Sequence, residues 1–173
     1  VYGVFMDKKM LTTTVDYLFH QSESRGQESA ISFKKDNKWE DISWAQYYSD
    51  VETAASSLIS MGVSKGDKVC ILGFNCYEWV VFDLAAIMIG AIPAGIYATC
   101  SAQEIEYILN HSQSSVLLIE DVLQWEKIQT QRDKLTSLKH IITMIRSEDI
   151  EDDIVIKWND FLNKATDENR VKA

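Results

Sequence analysis

Proline, glycine and cysteine are all scarce in this chain. A single proline, Pro93, and seven glycines among 173 residues leave few tight turns for a sandwich or barrel of many short strands, and favour helices alternating with strands. The cysteines, Cys70, Cys76 and Cys100, are odd in number and show no CxxC spacing. Neither a disulfide framework nor a zinc site is indicated, and a reducing compartment is expected. Basic residues are also in the minority: 17 Lys and Arg face 26 Asp and Glu, a formal charge of -9. So acidic a surface repels phosphate backbones, which argues against nucleic acid as a partner. The first residue is Val1, and no basic start leads into an apolar segment with a small-residue cleavage site, so the chain reads as a piece of a longer cytoplasmic polypeptide. Long hydrophobic runs are missing too. The longest apolar stretch, Trp79 to Ile96, contains Asp83, Gly90 and Pro93 and reads as a buried helix leading into a buried strand, not a membrane span.

What is present is core material. With 46% hydrophobic residues and five Trp, one single α/β unit over residues 1–173 is expected, with 1–27 as a peripheral lead-in. Val15, Leu18 and Phe19 predict a short helix between Thr14 and Ser24. Ala30–Lys34 and Lys38–Ile42 alternate around Asp36-Asn37 as a small hairpin would. Ser43 and Gln46 have capping-box spacing, so a helix begins at Trp44; its apolar face carries Tyr47, Tyr48, Val51, Ala54, Ala55 and Leu58, and Gly62 closes it. Val69–Phe74, Ala91–Tyr97 and Ser115–Ile119 are unbroken apolar runs of the kind that form central parallel strands. Between them, Asn75 is read as the N-cap of a helix through Trp79 and Phe82 to Gly90, and Ser101 with Glu104 as a second capping box opening a helix that ends by His111. A helix at Val122–Leu135, a strand at His140–Ile145, a strand at Ile154–Lys157 and a helix at Trp158–Ala165 complete the reading. This order predicts a doubly wound, mainly parallel sheet flanked by helices. Trp44, Tyr48, Leu58 and Trp79 are expected to be largely buried.

Chemistry is harder to find. There is no GxGxxG, no GxxxxGK[ST] and no GxSxG. His20, His111 and His140 fall in three separate elements, none beside a cysteine it could activate. Asn75-Cys76-Tyr77-Glu78 stands at a strand end, where open α/β sheets place ligands, and Glu78 is read there as an exposed first-turn carboxylate. On the residues alone, a self-sufficient flavodoxin-like binding or regulatory module stays open, since fold by itself assigns no function.

Four segments in order carry a resemblance: Ile42-Ser43-Trp44 with Tyr47-Tyr48; Gly66-Asp67-Lys68-Val69; Ile71-Leu72-Gly73-Phe74-Asn75 with Glu78-Trp79; and Gly90-Ala91 with Gly95-Ile96-Tyr97 and Thr99. From about Gln27 to Ala165 the chain resembles the N-terminal part of the acyl-activating, adenylate-forming enzymes, and the GFN-x-x-EW and Gly95–Thr99 stretches are most similar to long-chain fatty acyl-CoA synthetases of the bubblegum type. The resemblance implies a parent that uses ATP and Mg2+ to join a fatty acid to AMP, releasing pyrophosphate, and then lets the thiol of coenzyme A displace AMP. It implies that Tyr97, Ala98, Thr99 and Ser101 face the coenzyme A side. A phosphate loop of the form YTSGTTGxPKG does not occur in this sequence, so the resemblance also implies a stretch with no catalytic residue of its own, inactive alone and binding none of these ligands tightly. Membrane contact of the parent, on this reading, is peripheral.

Overall fold

Thr13 opens the first helix of the computed structural model, which describes residues 11–35 and 37–173. Its hydroxyl accepts from the Asp16 amide while the Asp16 carboxylate accepts from the Thr13 amide at 2.9 Å, a reciprocal cap that starts α1, Thr14–Arg25. Strands β1, Ser29–Lys35, and β2, Lys38–Ser43, then pair antiparallel. Asn37 takes the left-handed conformation their tight turn requires (φ 62°); Asp36, the other expected turn residue, lies outside the described residues. At Ser43 the hydroxyl accepts from the Gln46 amide at 3.2 Å, and α2, Trp44–Ser60, begins. A first compact unit ends at Tyr48. Within it Leu18 and Tyr47 are buried, and the Phe19 and Tyr48 rings lie 5.4 Å apart. Trp44 and Tyr48 are only half-buried, against expectation. A ring on the first turn, such as Trp44, lacks a preceding helical turn to pack over, because helical side chains lean toward the N-terminus.

The second unit runs Ser49–Ala173. Here the apolar stripe of α2 is fully buried at Val51, Ala54, Ala55 and Leu58, and Gly62 turns the chain with φ 86°. Five parallel strands follow: β3, Lys68–Leu72; β4, Ile92–Ile96; β5, Val116–Ile119; β6, His140–Thr143; and β7, Val155–Lys157. Their order is β4-β3-β5-β6-β7, so the winding reverses between β3 and β5, the signature of a doubly wound sheet. The helices that follow these strands are α3, Tyr77–Met88; α4, Ala102–Ser112; α5, Val122–Gln129; α6, Trp158–Leu162; and α7, Asp167–Lys172. Ile105 and Leu109 of α4 and Trp125 and Ile128 of α5 join Cys70, Leu72, Leu117, Ile119 and Ile141 in one core layer. By strand alternation Val69, Ile71, Leu118 and Ile142 serve the other layer, where Phe82 of α3 meets Phe161 of α6.

Several expectations are corrected. The strand at 92–96 is an edge, not a centre: it pairs with β3 alone, Ile92 is half exposed, and Pro93 is tolerated because one side of the strand needs no amide donor. β3 stops at Leu72, leaving Phe74 exposed, and β6 stops at Thr143, leaving Ile145 exposed. The helix expected over 122–135 breaks after Gln129 into a 3-10 turn, Arg132–Lys134. Trp79 is half-buried, lying over the glycine edge of β4, where a Cβ on Gly95 would sit 3.4 Å from its ring. The short helix α7 was not anticipated. Buried Ser56 secures its start, its Oγ donating to the Thr166 carbonyl at 3.0 Å and accepting from the Thr166 amide at 2.9 Å, while buried Ser57 holds the end of α6, its Oγ donating to the Leu162 carbonyl at 3.2 Å.

Candidate functional site

Ligands of doubly wound sheets bind beyond the carboxyl ends of the strands, and in this sheet the turn after β4 is exposed there. It holds all four residues singled out from the sequence. Tyr97 is 84% exposed, Thr99 and Ser101 are exposed, and Ala98 is half-buried. The Cys100 amide donates to the Tyr97 carbonyl at 2.9 Å. From α5, the Lys127 ammonium donates to the carbonyls of Ala98 (2.7 Å) and Cys100 (3.1 Å) and to Gln124 Oε1 (3.1 Å). A cation thus clamps the turn from beneath.

The capping box expected at Ser101 forms. The Glu104 amide donates to Ser101 Oγ at 3.3 Å, and the Ser101 amide and hydroxyl both donate to Glu104 Oε2 at 2.8 Å. These bonds, the backbone one foremost, hold the Glu104 carboxyl below the usual range. The Ser101 hydroxyl is therefore engaged within the chain, and the turn offers outward chiefly the Tyr97 ring, Ala98 and Thr99. Beside it a hollow of about 310 Å3 is lined by Cys100, Gln103, Glu104, Tyr107 and Ile108.

At the reversal between β3 and β5 the crevice is already filled. Glu120 Oε2 accepts from the Phe74 amide at 2.8 Å, and a Cβ on Gly73 would stand 2.5 Å from the Glu120 Cβ. A phosphate cradle needs unoccupied amides and no nearby anion; this crevice has a carboxylate in that place, which weighs against a flavodoxin-like ligand site. The next helix is also built differently from expectation. Its N-cap is Cys76, with no side-chain capping bond, because the chain stays extended through that residue (φ -146°) and Asn75 falls outside the cap. Glu78, expected to be exposed, is 8% exposed, and its Oε1 accepts from the Ile145 amide at 3.2 Å. It serves to tie α3 to the exit of β6. Although Cys76 is an exposed residue, its sulfur lies 3.3 Å from Met144 Sδ. Burial of that sulfur pushes the thiol up to about 12, so Cys76 is no nucleophile at neutral pH.

The histidines do not assemble into a site. His111 stacks on Tyr107 with ring centroids 5.5 Å apart, His20 Nδ1 lies 3.3 Å from Ser24 Oγ, and His140 stands at the amino-terminal end of β6. Among the described residues no group of three or more His, Cys, Asp or Glu side chains is placed to hold a metal ion.

Sequence reasoning missed Lys127 and Glu120. A signal existed for the first: Gln124, Trp125 and Ile128 are the buried positions of α5, and a lysine three residues after Gln124 shares their face, so it must find partners. For Glu120, at the end of an apolar strand, no pattern points to its role. Lys127→Met keeps the aliphatic stem and removes the clamp. It is expected to cost roughly 1–2 kcal/mol and to speed amide exchange across Tyr97–Ser101, measured by hydrogen-exchange NMR; unchanged exchange there would count against the clamp.

Comparison with known proteins adds a family. The family model described as AMP-binding enzyme matches residues 18–172. Long-chain-fatty-acid-CoA ligase ACSBG2 of Rattus norvegicus is 37% identical over 152 residues, which cover 86% of this chain and 23% of the relative. Long-chain-fatty-acid-CoA ligase ACSBG1 of Homo sapiens is 33% identical over 133 residues, 76% of this chain and 18% of the relative. The chain thus spans less than a quarter of the length of these curated relatives. Among solved structures, the anthranilate CoA ligase AuaEII in complex with anthranoyl-AMP shares the fold at TM-score 0.79 and 24% identity, over 90% of this chain and 28% of that one.

Proposed function

The chain belongs to the AMP-binding enzyme family, and from that premise we propose that it is the N-terminal subdomain of a longer adenylation domain that ligates long-chain fatty acids to coenzyme A. The parent joins the fatty acid carboxylate to the α-phosphate of ATP, expelling pyrophosphate. The thiol of coenzyme A then attacks the acyl carbonyl, forming the thioester as AMP leaves. The observation that carries this reading is the similarity to long-chain-fatty-acid-CoA ligases across 86% of the chain. Supporting it, the reversal point of the sheet is closed by Glu120, whereas the Tyr97–Ser101 turn is exposed, clamped and at the ligand edge.

In this reading Tyr97, Ala98, Thr99 and Ser101 form part of the wall along which coenzyme A approaches, and the rest of the nucleotide and acyl machinery belongs to the parent. Among the described residues no helix is long and apolar enough to cross a membrane.

The test has two arms. The 173-residue chain, lacking a phosphate loop, is expected to release no pyrophosphate from ATP and palmitate above a boiled control, because nucleotidyl transfer requires preorganised donors around the phosphates. In the parent, Ala98→Trp is expected to raise KM for coenzyme A on the order of tenfold while acyl-adenylate formation stays near normal, the pattern of lost contacts to one substrate. Equal slowing of both steps in a well-folded variant would remove this turn from the coenzyme A side.

A further inference from the structure

At the amino-terminal ends of the strands, the starts of β3, β5 and β6 surround a polar recess of about 360 Å3, within the size range of small-molecule sites. Lys68, Lys139 and His140 line it together with Gln113, Ser115 and Ser137. The frame is fixed by backbone bonds: the Lys139 and His140 amides both donate to the Ser115 carbonyl, at 2.9 and 3.2 Å, and the Ser115 amide donates to the Lys68 carbonyl at 3.4 Å. In a chain of net charge -9, such a gathering of cations runs against the surrounding field. Asp67 is the acidic member of the lining, and its Oδ2 is engaged by the Ser64 amide at 2.8 Å.

We propose that the recess binds a small phosphate-bearing molecule, with Lys68 and Lys139 supplying positive charge. The inference does not depend on the acyl-activating reading, which concerns the carboxyl ends of the strands.

His140 is a built-in reporter. Its burial, with Lys164 and then Lys139 nearby, holds its pKa below the usual value; Lys68 and Asp67 are the other charged groups of the recess. A bound dianion would offset that positive field and raise the His140 pKa, on the order of one unit for a close charge. The experiment follows the C2 proton of His140 by NMR in the 173-residue chain during titration with inorganic phosphate and, separately, glycerol 3-phosphate, each against sodium chloride at matched ionic strength. The His140 signal is assigned with His140→Gln. A saturable shift with an upward move of the titration midpoint is expected. Saturation by both ligands identifies an ester-accepting site, and saturation by inorganic phosphate alone identifies a site for the free ion.

Lys139→Gln and Lys68→Gln, each removing one charged donor, are expected to raise the dissociation constant about tenfold. Lys139 is exposed, so its variant keeps the fold, verified by circular dichroism. A shift that fails to saturate, that chloride reproduces, or that both variants leave equally tight would overturn the proposal.

Discussion

Phe82→Ala is expected to destabilise the chain by about 3–5 kcal/mol, the cost of removing a large aromatic side chain from a closed core. Phe82 has no exposed surface, and its ring packs at 6.0 Å and 54° against Phe161, which is equally buried. The pair joins α3 to α6, two helices separated by most of the sheet in sequence. Truncating one ring forfeits its transfer free energy, opens a cavity and leaves the other ring without its tilted partner, a contact worth roughly 0.5–1.5 kcal/mol beyond area. In a domain of this size the melting temperature should fall on the order of 10 °C. Urea denaturation with an unchanged m-value is the direct measurement. Trp79→Ala and Trp44→Ala should each cost less, because both rings are only half-buried. A Phe82→Ala loss under about 1 kcal/mol, or a Trp79→Ala loss exceeding it, would mean that this face of the sheet is not the core it is described to be.

That contrast shows where the sequence was legible. Unbroken apolar runs carry their own evidence of double burial, so β3 and β5 could be read from Val69–Leu72 and Val116–Ile119. The Ser43 cap and the Ser101 capping box depend on bonds three residues apart, and local physics suffices to find them. The position of β4 at an edge was not legible, because hydrophobic pattern reports burial along a strand and not which neighbours it has. Aromatic residues misled for a related reason: Trp44 and Trp79 fall on apolar stripes, yet each lies where the stripe meets an open end or a glycine edge. The burial of Glu78 depends on the Ile145 amide, 67 residues away, and no local rule anticipates such a partner. The candidate turn, by contrast, was contiguous in sequence, and what could not be read was the Lys127 clamp, supplied from 27 to 29 residues downstream.

Gly73→Ala should cost about 2–3 kcal/mol, far more than one added methyl group suggests, because the space it needs is held by backbone-fixed atoms. The new Cβ would meet the Glu120 Cβ at 2.5 Å and the Glu120 Cα at 3.4 Å. A flexible side-chain tip could swing aside, but a Cβ moves only with its backbone. Glu120 is fastened there, its amide donating to the Leu72 carbonyl at 3.0 Å and its carboxylate accepting from the Phe74 amide at 2.8 Å. The carboxyl ends of β3 and β5 must therefore separate, breaking one or both bonds. Gly62→Ala provides the comparison: Gly62 has φ 86° and nothing within 4 Å of a Cβ, so its cost is the conformational one alone, about 1–2 kcal/mol. Glu120→Gly removes the opposing Cβ, and in the double variant Gly73→Ala/Glu120→Gly part of the loss should return, with a coupling of about 1 kcal/mol in the double-mutant cycle. Additivity in that cycle, or a Gly73→Ala cost within about 0.5 kcal/mol of zero, would show that the reversal point is open. The crevice between β3 and β5 would then again be available to a ligand, and binding at the Tyr97–Ser101 turn would lose its structural support.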